Sequence, residues 1–299
     1  MGRGYVLLTV HSTAVRFSLN PIADLRALLH YQFMQHAFEA GTVVAIVAGV
    51  IGYFVVLRGL SFAGHALSHI GFAGATGAVV IGVSPLFGLL GFTVVAAGVM
   101  GALGTRVQER DATVGIVMAW TLGLGVLFLN LYTGYATEAY ALLFGEILGI
   151  SIRDVEITTV AGALTLAALV VMYRPLLFAS VDADVAEARG VPVGTLSILF
   201  LVVLAVAVSE AVQVVGVLLI FALLVTPAAI AQQLTSRPAA AMTISAALAI
   251  LFTWSGLAVA FWQPYPVSFF ITSFAFGAYV LVRLAPELGP LIRRTSGGA

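Results

Sequence analysis

Residues 194–227 read GTLSILFLVVLAVAVSEAVQVVGVLLIFALLVTP, and Glu210 is the one charged side chain among them. A helix needs about 20 apolar residues to cross the hydrocarbon layer of a bilayer, so the run is too long for one ordinary crossing and short for two. It reads either as two short spans meeting at Ser209, Glu210 and Gln213, or as a broken element with a turn at that point. Either reading puts the segment in lipid, and the rest of the chain has to agree with it.

The rest of the chain does agree. Of its 299 residues 61% are hydrophobic and only 9% charged, and the mean hydropathy is +1.11. Ordinary soluble domains carry about 25% charged residues. Further apolar runs of spanning length fall at 38–57, 62–82, 86–105, 112–132, 155–173, 240–261 and 266–284. Together with 194–209 and 211–227 they predict an all-α polytopic membrane protein of eight or nine transmembrane helices. Small residues are dense in several runs, with Gly71, Gly74, Ala75, Ala78 and Gly82 in one and Gly98, Gly101 and Gly104 in the next. In lipid, small faces let helices approach closely, so a tight bundle is expected.

Three regions follow: an N-terminal extension over 1–36, a membrane domain over 37–284 and a tail over 285–299. The extension holds VRFSLNPIADLRALLHYQ, whose His, Arg and Asp among apolar residues suit a helix lying in the membrane interface. The apolar run before it, YVLLTV, is too short for a span or for a signal-peptide core.

Arginine supplies the orientation, because the chain has thirteen of them and no lysine. If the first span starts outside, Arg58, Arg106, Arg110, Arg174, Arg189, Arg237, Arg283, Arg293 and Arg294 share one side, and after residue 37 only Arg153 lies on the other. The positive-inside rule makes the crowded side, and with it the C-terminus, cytoplasmic in a multi-pass cell-membrane protein. This arrangement requires residues 136–153 to lie at the outer surface as a short helix without crossing.

Several function classes drop out. The formal net charge is zero, so no basic field points to nucleic acid. With no cysteine, thiolate metal sites, cysteine nucleophiles and disulfides are excluded. A phosphate-binding loop needs Gly-x-x-x-x-Gly-Lys, and a chain without lysine has no such ATPase site of its own. A membrane zinc protease would read His-Glu-x-x-His, but Ala66 follows His65. Nothing in the sequence assembles a catalytic constellation, and no permanently bound cofactor is expected.

His65 and His69 remain, in SFAGHALSHIGFAG (61–74). Four residues are one helical turn, so both imidazoles lie on one face, one and two turns inside the second span. Helices use that spacing to present two imidazoles to one zinc ion. Only neutral imidazole ligates, so traffic through such a site should fall as pH drops below about 6.5. Two polar stretches on the cytoplasmic side, 178–194 and 223–242, also stand out. In the second, Pro227 and Pro238 bracket a short helix-forming stretch suited to docking on another protein.

Taken in order, LRGLSFAGHALSHIGFAG (57–74), LLFGEILGIS (142–151), SVDADVAEARGVPVG (180–194) and VVGVLLIFALLVTPAAIAQQL (214–234) resemble the membrane subunit of ATP-binding-cassette importers for zinc, manganese or iron, the ABC-3 permeases with a type II-importer-like fold. The resemblance covers roughly residues 34–284. It implies a second permease protomer, two cytoplasmic ATPase subunits and an extracellular solute-binding protein that delivers the metal. It also implies that TPAAIAQQLTSRP is the coupling segment, with Ala228, Ala229, Gln232, Gln233 and Arg237 facing the ATPase. Such permeases usually read Asp, three residues, His at the start of the second span; here His65 stands in the Asp position and His69 matches the His. Imidazole in place of a carboxylate moves a site from manganese toward zinc.

Carboxylates at a low-dielectric mouth focus cations. FGEILGIS and the turn at Ser209–Gln213 are therefore expected to form an outer gate in which Glu138, Glu146 and Glu210 draw metal inward. The alternative is an ion-coupled secondary metal transporter, which also places substrate near the midplane between broken helices. It would need ionisable coupling residues inside its spans, and Glu210 is the one carboxylate flanked by apolar runs on both sides.

Overall fold

The computed structural model describes residues 28–103, 107–131, 145, 147–263 and 265–296, and for 107–110 and 285–296 the backbone alone. Among the described residues every regular element is a helix. They are α1 (Gln32–Leu57), α2 (Ser61–Val80), α3 (Pro85–Leu103), α4 (Val107–Leu131), α5 (Ile152–Val181), α6 (Ala183–Ala188), α7 (Val193–Leu234), α8 (Pro238–Trp262) and α9 (Val267–Ser296). Seven are long and apolar enough to cross a bilayer, with α7 taken as one; α2, diluted by its histidines, serines and glycines, is packed among them.

Several boundaries differ from the sequence reading. Helix α1 begins at Gln32, so residues 32–36 of the expected extension belong to the first span. Helix α9 continues to Ser296, through most of the expected tail. The polar stretch 178–194 contains the end of α5 and the short α6, whose Asp182 side chain accepts a hydrogen bond from the Val185 amide at 3.0 Å. Ser151 and Asp154 start α5 with a reciprocal capping box, which satisfies amides that a helix end leaves unpaired.

Helix α7 answers the question posed by residues 194–227. Arg58 Nη2 donates to Ser197 Oγ at 2.6 Å, near the start of α7. Gln232 Nε2, near its end, donates to the Tyr53 carbonyl at 2.9 Å. Tyr53 lies near the end of α1 and Arg58 caps it, whereas a straight helix would hold residues 197 and 232 about 50 Å apart. The chain therefore doubles back, and it does so at Gly216, whose φ of 81° and ψ of 164° are non-helical and open essentially to glycine alone. The two arms, 193–215 and 217–234, run antiparallel. The turn expected at Ser209–Gln213 is instead continuous helix, and the reversal lies beyond it.

This hairpin and α1 form the centre of the bundle. In their most apolar stretches α1 and α7 are 67% buried, against 17–39% for α3, α4, α5, α8 and α9. The outer helices direct large apolar residues such as Trp120, Leu164, Val171 and Phe276 outward, as expected where lipid takes the place of water. Close packing depends on small residues at the crossings. A Cβ on Gly74 would stand 2.2 Å from the Gly88 carbonyl oxygen, and one on Gly52 would stand 1.9 Å from that of Leu224. Gly98, also expected to pack, has nothing within 4 Å of such an atom.

Candidate functional site

Helix α2 carries His65 and His69, with the rings 4.6 Å apart and nearly perpendicular. Both are half-buried. Ser68 Oγ donates to the His65 carbonyl at 2.7 Å, keeping that hydroxyl satisfied within the helix. His65 Nδ1 is buried without a hydrogen-bond partner. The second arm of α7 meets the pair through Phe221, whose ring lies 4.9 Å from that of His65. Gly64 makes the approach possible: a Cβ there would come within 2.8 Å of Leu224 Cδ2.

Two imidazoles at this separation can share one divalent ion. Among the described residues no third His, Cys, Asp or Glu joins them, so the remaining positions on such an ion would fall to water, backbone or another chain. A site left incomplete in this way can release what it binds, whereas a closed four-ligand cage holds its ion for structure.

Glu138 and Glu146 lie outside the described residues. Glu210 is 6% exposed and sits in the first arm of α7, about 9 Å of helix before the reversal. Its neighbour Ser209 bonds Thr93 of α3 at 2.6 Å. At the Gly216 end, a cleft of about 350 Å³ is lined by Gly145, Leu148, Val215, Leu219 and Tyr265, among others. Gly145 covers the reversal itself, since a Cβ there would meet the Val215 carbonyl carbon at 2.4 Å. Leu219 is in the wall of this cleft, and two residues further along the same arm Phe221 touches His65. A lone glycine inside an apolar run is a recognisable breaker signal that could have located Gly216; Phe221 left no such mark.

At the opposite end, the second arm continues as helix past Pro227 to Leu234, so the stretch after Pro227 is the end of α7 and not a separate helix. Ala228 is fully buried, whereas Ala229 and Gln232 are half-buried. Gln233, Leu234 and Arg237 are exposed. Gln232 is tied to α1, and Gln233 Nε2 donates back to the Ala229 carbonyl at 3.3 Å.

Comparison with known proteins agrees with this architecture. The ABC 3 transport family matches residues 30–285. The manganese transport system membrane protein MntC of Halalkalibacterium halodurans is 33% identical over 77% of this chain and 79% of its own length. The manganese import system permease protein ScaB of Streptococcus parasanguinis is 31% identical over 78% of this chain and 84% of its own. Among solved structures, PsaBC from Streptococcus pneumoniae in complex with Fab superposes with a TM-score of 0.78 at 29% identity, covering 87% of this chain and 94% of that one. An inward-facing ABC transporter at 17% identity shares the fold, with a TM-score of 0.69. A match that spans the bundle from residue 30 to residue 285, joined by relatives above 30% identity over three quarters of the chain, makes this protein a membrane permease of the ABC 3 transport family.

Proposed function

We propose that the chain is the permease subunit of an ATP-driven importer of divalent transition metal, and that His65 and His69 bind the ion in transit. The observation that carries this reading is the imidazole pair one helical turn apart on α2, with Phe221 of the central hairpin against it. The relatives named above are manganese systems. Manganese prefers oxygen ligands, whereas imidazole suits zinc, so the second histidine shifts the preference of this chain toward zinc. Metal would arrive from an extracellular solute-binding protein at the Gly216 end. Two cytoplasmic ATPase subunits would engage the exposed Gln233 and Arg237, and a second permease protomer would complete the pathway. The Arg58 end and the C-terminus then face the cytoplasm of a cell-membrane complex, in keeping with the arginine distribution.

The test is uptake of zinc and manganese, each alone and in competition, by cells that express the permease with its ATPase and binding protein. Zinc uptake that exceeds manganese uptake and that is lost in both His65→Ala and His69→Ala is the expected outcome. Undiminished uptake in both variants would remove the pair from the pathway.

A further inference from the structure

A small cavity of about 10 Å³ lies between α1, α5 and the two arms of α7, away from the imidazoles. Glu210 and Thr165 both line it. Glu210 is 6% exposed and Thr165 is 3% exposed, and Glu210 Oε2 and Thr165 Oγ1 are both buried without a hydrogen-bond partner. Thr158 is also in the wall. The rest is valine, alanine, glycine, isoleucine and leucine from the same helices, so among the described residues no other titratable or charged side chain faces Glu210 there.

A buried ionised carboxylate without a counter-charge is too costly to persist; such a group is neutralised by a proton or by a bound cation. The cavity discriminates between the two. Zinc takes four ligands, and calcium, magnesium and manganese take six or more oxygens, whereas here, among the described residues, one carboxyl group and two threonine hydroxyls are the only polar side chains in a space the size of one water. A single water does fit: it needs roughly 10–15 Å³ and two or more polar partners, and Glu210 Oε2 and Thr165 Oγ1 are two groups that lack one. We propose that this cavity is a proton-binding site, in which Glu210 is a neutral carboxylic acid joined through one bound water to Thr165, tying α5 to the hairpin at its centre. The site binds no metal, which separates Glu210 from the ion path.

The second arm of α7 borders both sites, with Ile220 and Leu224 on the cavity and Phe221 on His65. Displacing that arm would admit water to Glu210 and let its proton leave. Closing the arm would take a proton back up.

The experiment is infrared spectroscopy of the metal-stripped permease in lipid nanodiscs at neutral pH. The expected result is a protonated-carboxyl C=O stretch that Glu210→Gln removes, that Thr165→Val shifts, and that added zinc or manganese leaves in place. Absence of the band, its insensitivity to Thr165→Val or its loss on adding metal would each overturn the proposal. Gln is the nearest neutral isostere of the protonated acid, so a Glu210→Gln permease should assemble and melt as the parent does. Failure to assemble would count against the proposal as well.

Discussion

Position 65 is where this chain departs from the Asp-x-x-x-His pattern that its sequence otherwise resembles, and where selectivity can be tested. Removing even an outer-shell partner of a metal ligand typically costs about 10–100-fold in affinity or activity, so His65→Ala or His69→Ala should lower zinc uptake at limiting metal by roughly tenfold or more. His65→Asp should keep transport and move the zinc-to-manganese ratio toward manganese, read from competitive uptake. Packing at single residues is equally exposed to test. Valine at Gly52 would drive an atom onto the Leu224 carbonyl and part α1 from the hairpin, an overpacking cost of about 1–3 kcal/mol or more. Thermal melting in detergent should show that loss, while Gly98→Ala, which meets nothing, should melt as the parent does. The histidine pair was legible in the sequence because both ligands sit one turn apart on one helix. Thr165 and Phe221 were not, because each faces a group on a helix dozens of residues away, Thr165 the cavity it shares with Glu210 and Phe221 the ring of His65, and a threonine or phenylalanine in an apolar run carries no mark of that.

The decisive element is α7. The sequence announced an interruption within 194–227 but misplaced it, on the premise that polar residues mark the turn. In a bundle the premise fails: Ser209 finds Thr93 across a helix crossing and Glu210 is enclosed, while the residue that bends the chain is apolar. Pro227 misleads in the same way, since the helix runs on through it, as membrane helices allow when neighbours re-satisfy the freed backbone groups. Any side chain at Gly216 has to adopt a backbone conformation that only glycine reaches easily, at a cost of roughly 1–3 kcal/mol. Gly216→Ala should therefore lower the melting temperature of the permease in detergent. It should also lower uptake by more than the loss of folded protein accounts for, because the arm bearing Phe221 is re-aimed.

For the molecule as a whole, the membrane class was plain from composition, whereas the centre of the bundle was not. In helices apolar all round, hydropathy does not tell the face that meets a neighbour from the face that meets lipid, and α1 and α7 emerge as core only from their burial. The working cycle is tested at this scale too. Uptake into vesicles holding the full complex should stop on ATP depletion with the proton gradient clamped, and persistence would favour the secondary transporter. Gln233→Glu, at the exposed end of the hairpin, and Arg237→Glu, in the exposed link after it, should reduce co-purification of the ATPase without changing the melting temperature.

The hairpin also bears on how the chain is made. Both feet of α7 stand at the Arg58 end of α1, and its second arm is only 18 residues long, from 217 to 234. During synthesis the first arm would enter the insertion channel with no charged residue at its tip to hold it there. The second arm would follow as an apolar segment near the short limit for a span, ending in Gln232, Gln233 and Leu234. The pair would then leave the channel together, with both arms already facing the cavity they share. A ribosome arrested with 217–234 still in its exit tunnel would leave the first arm unanchored and open to degradation by membrane quality control.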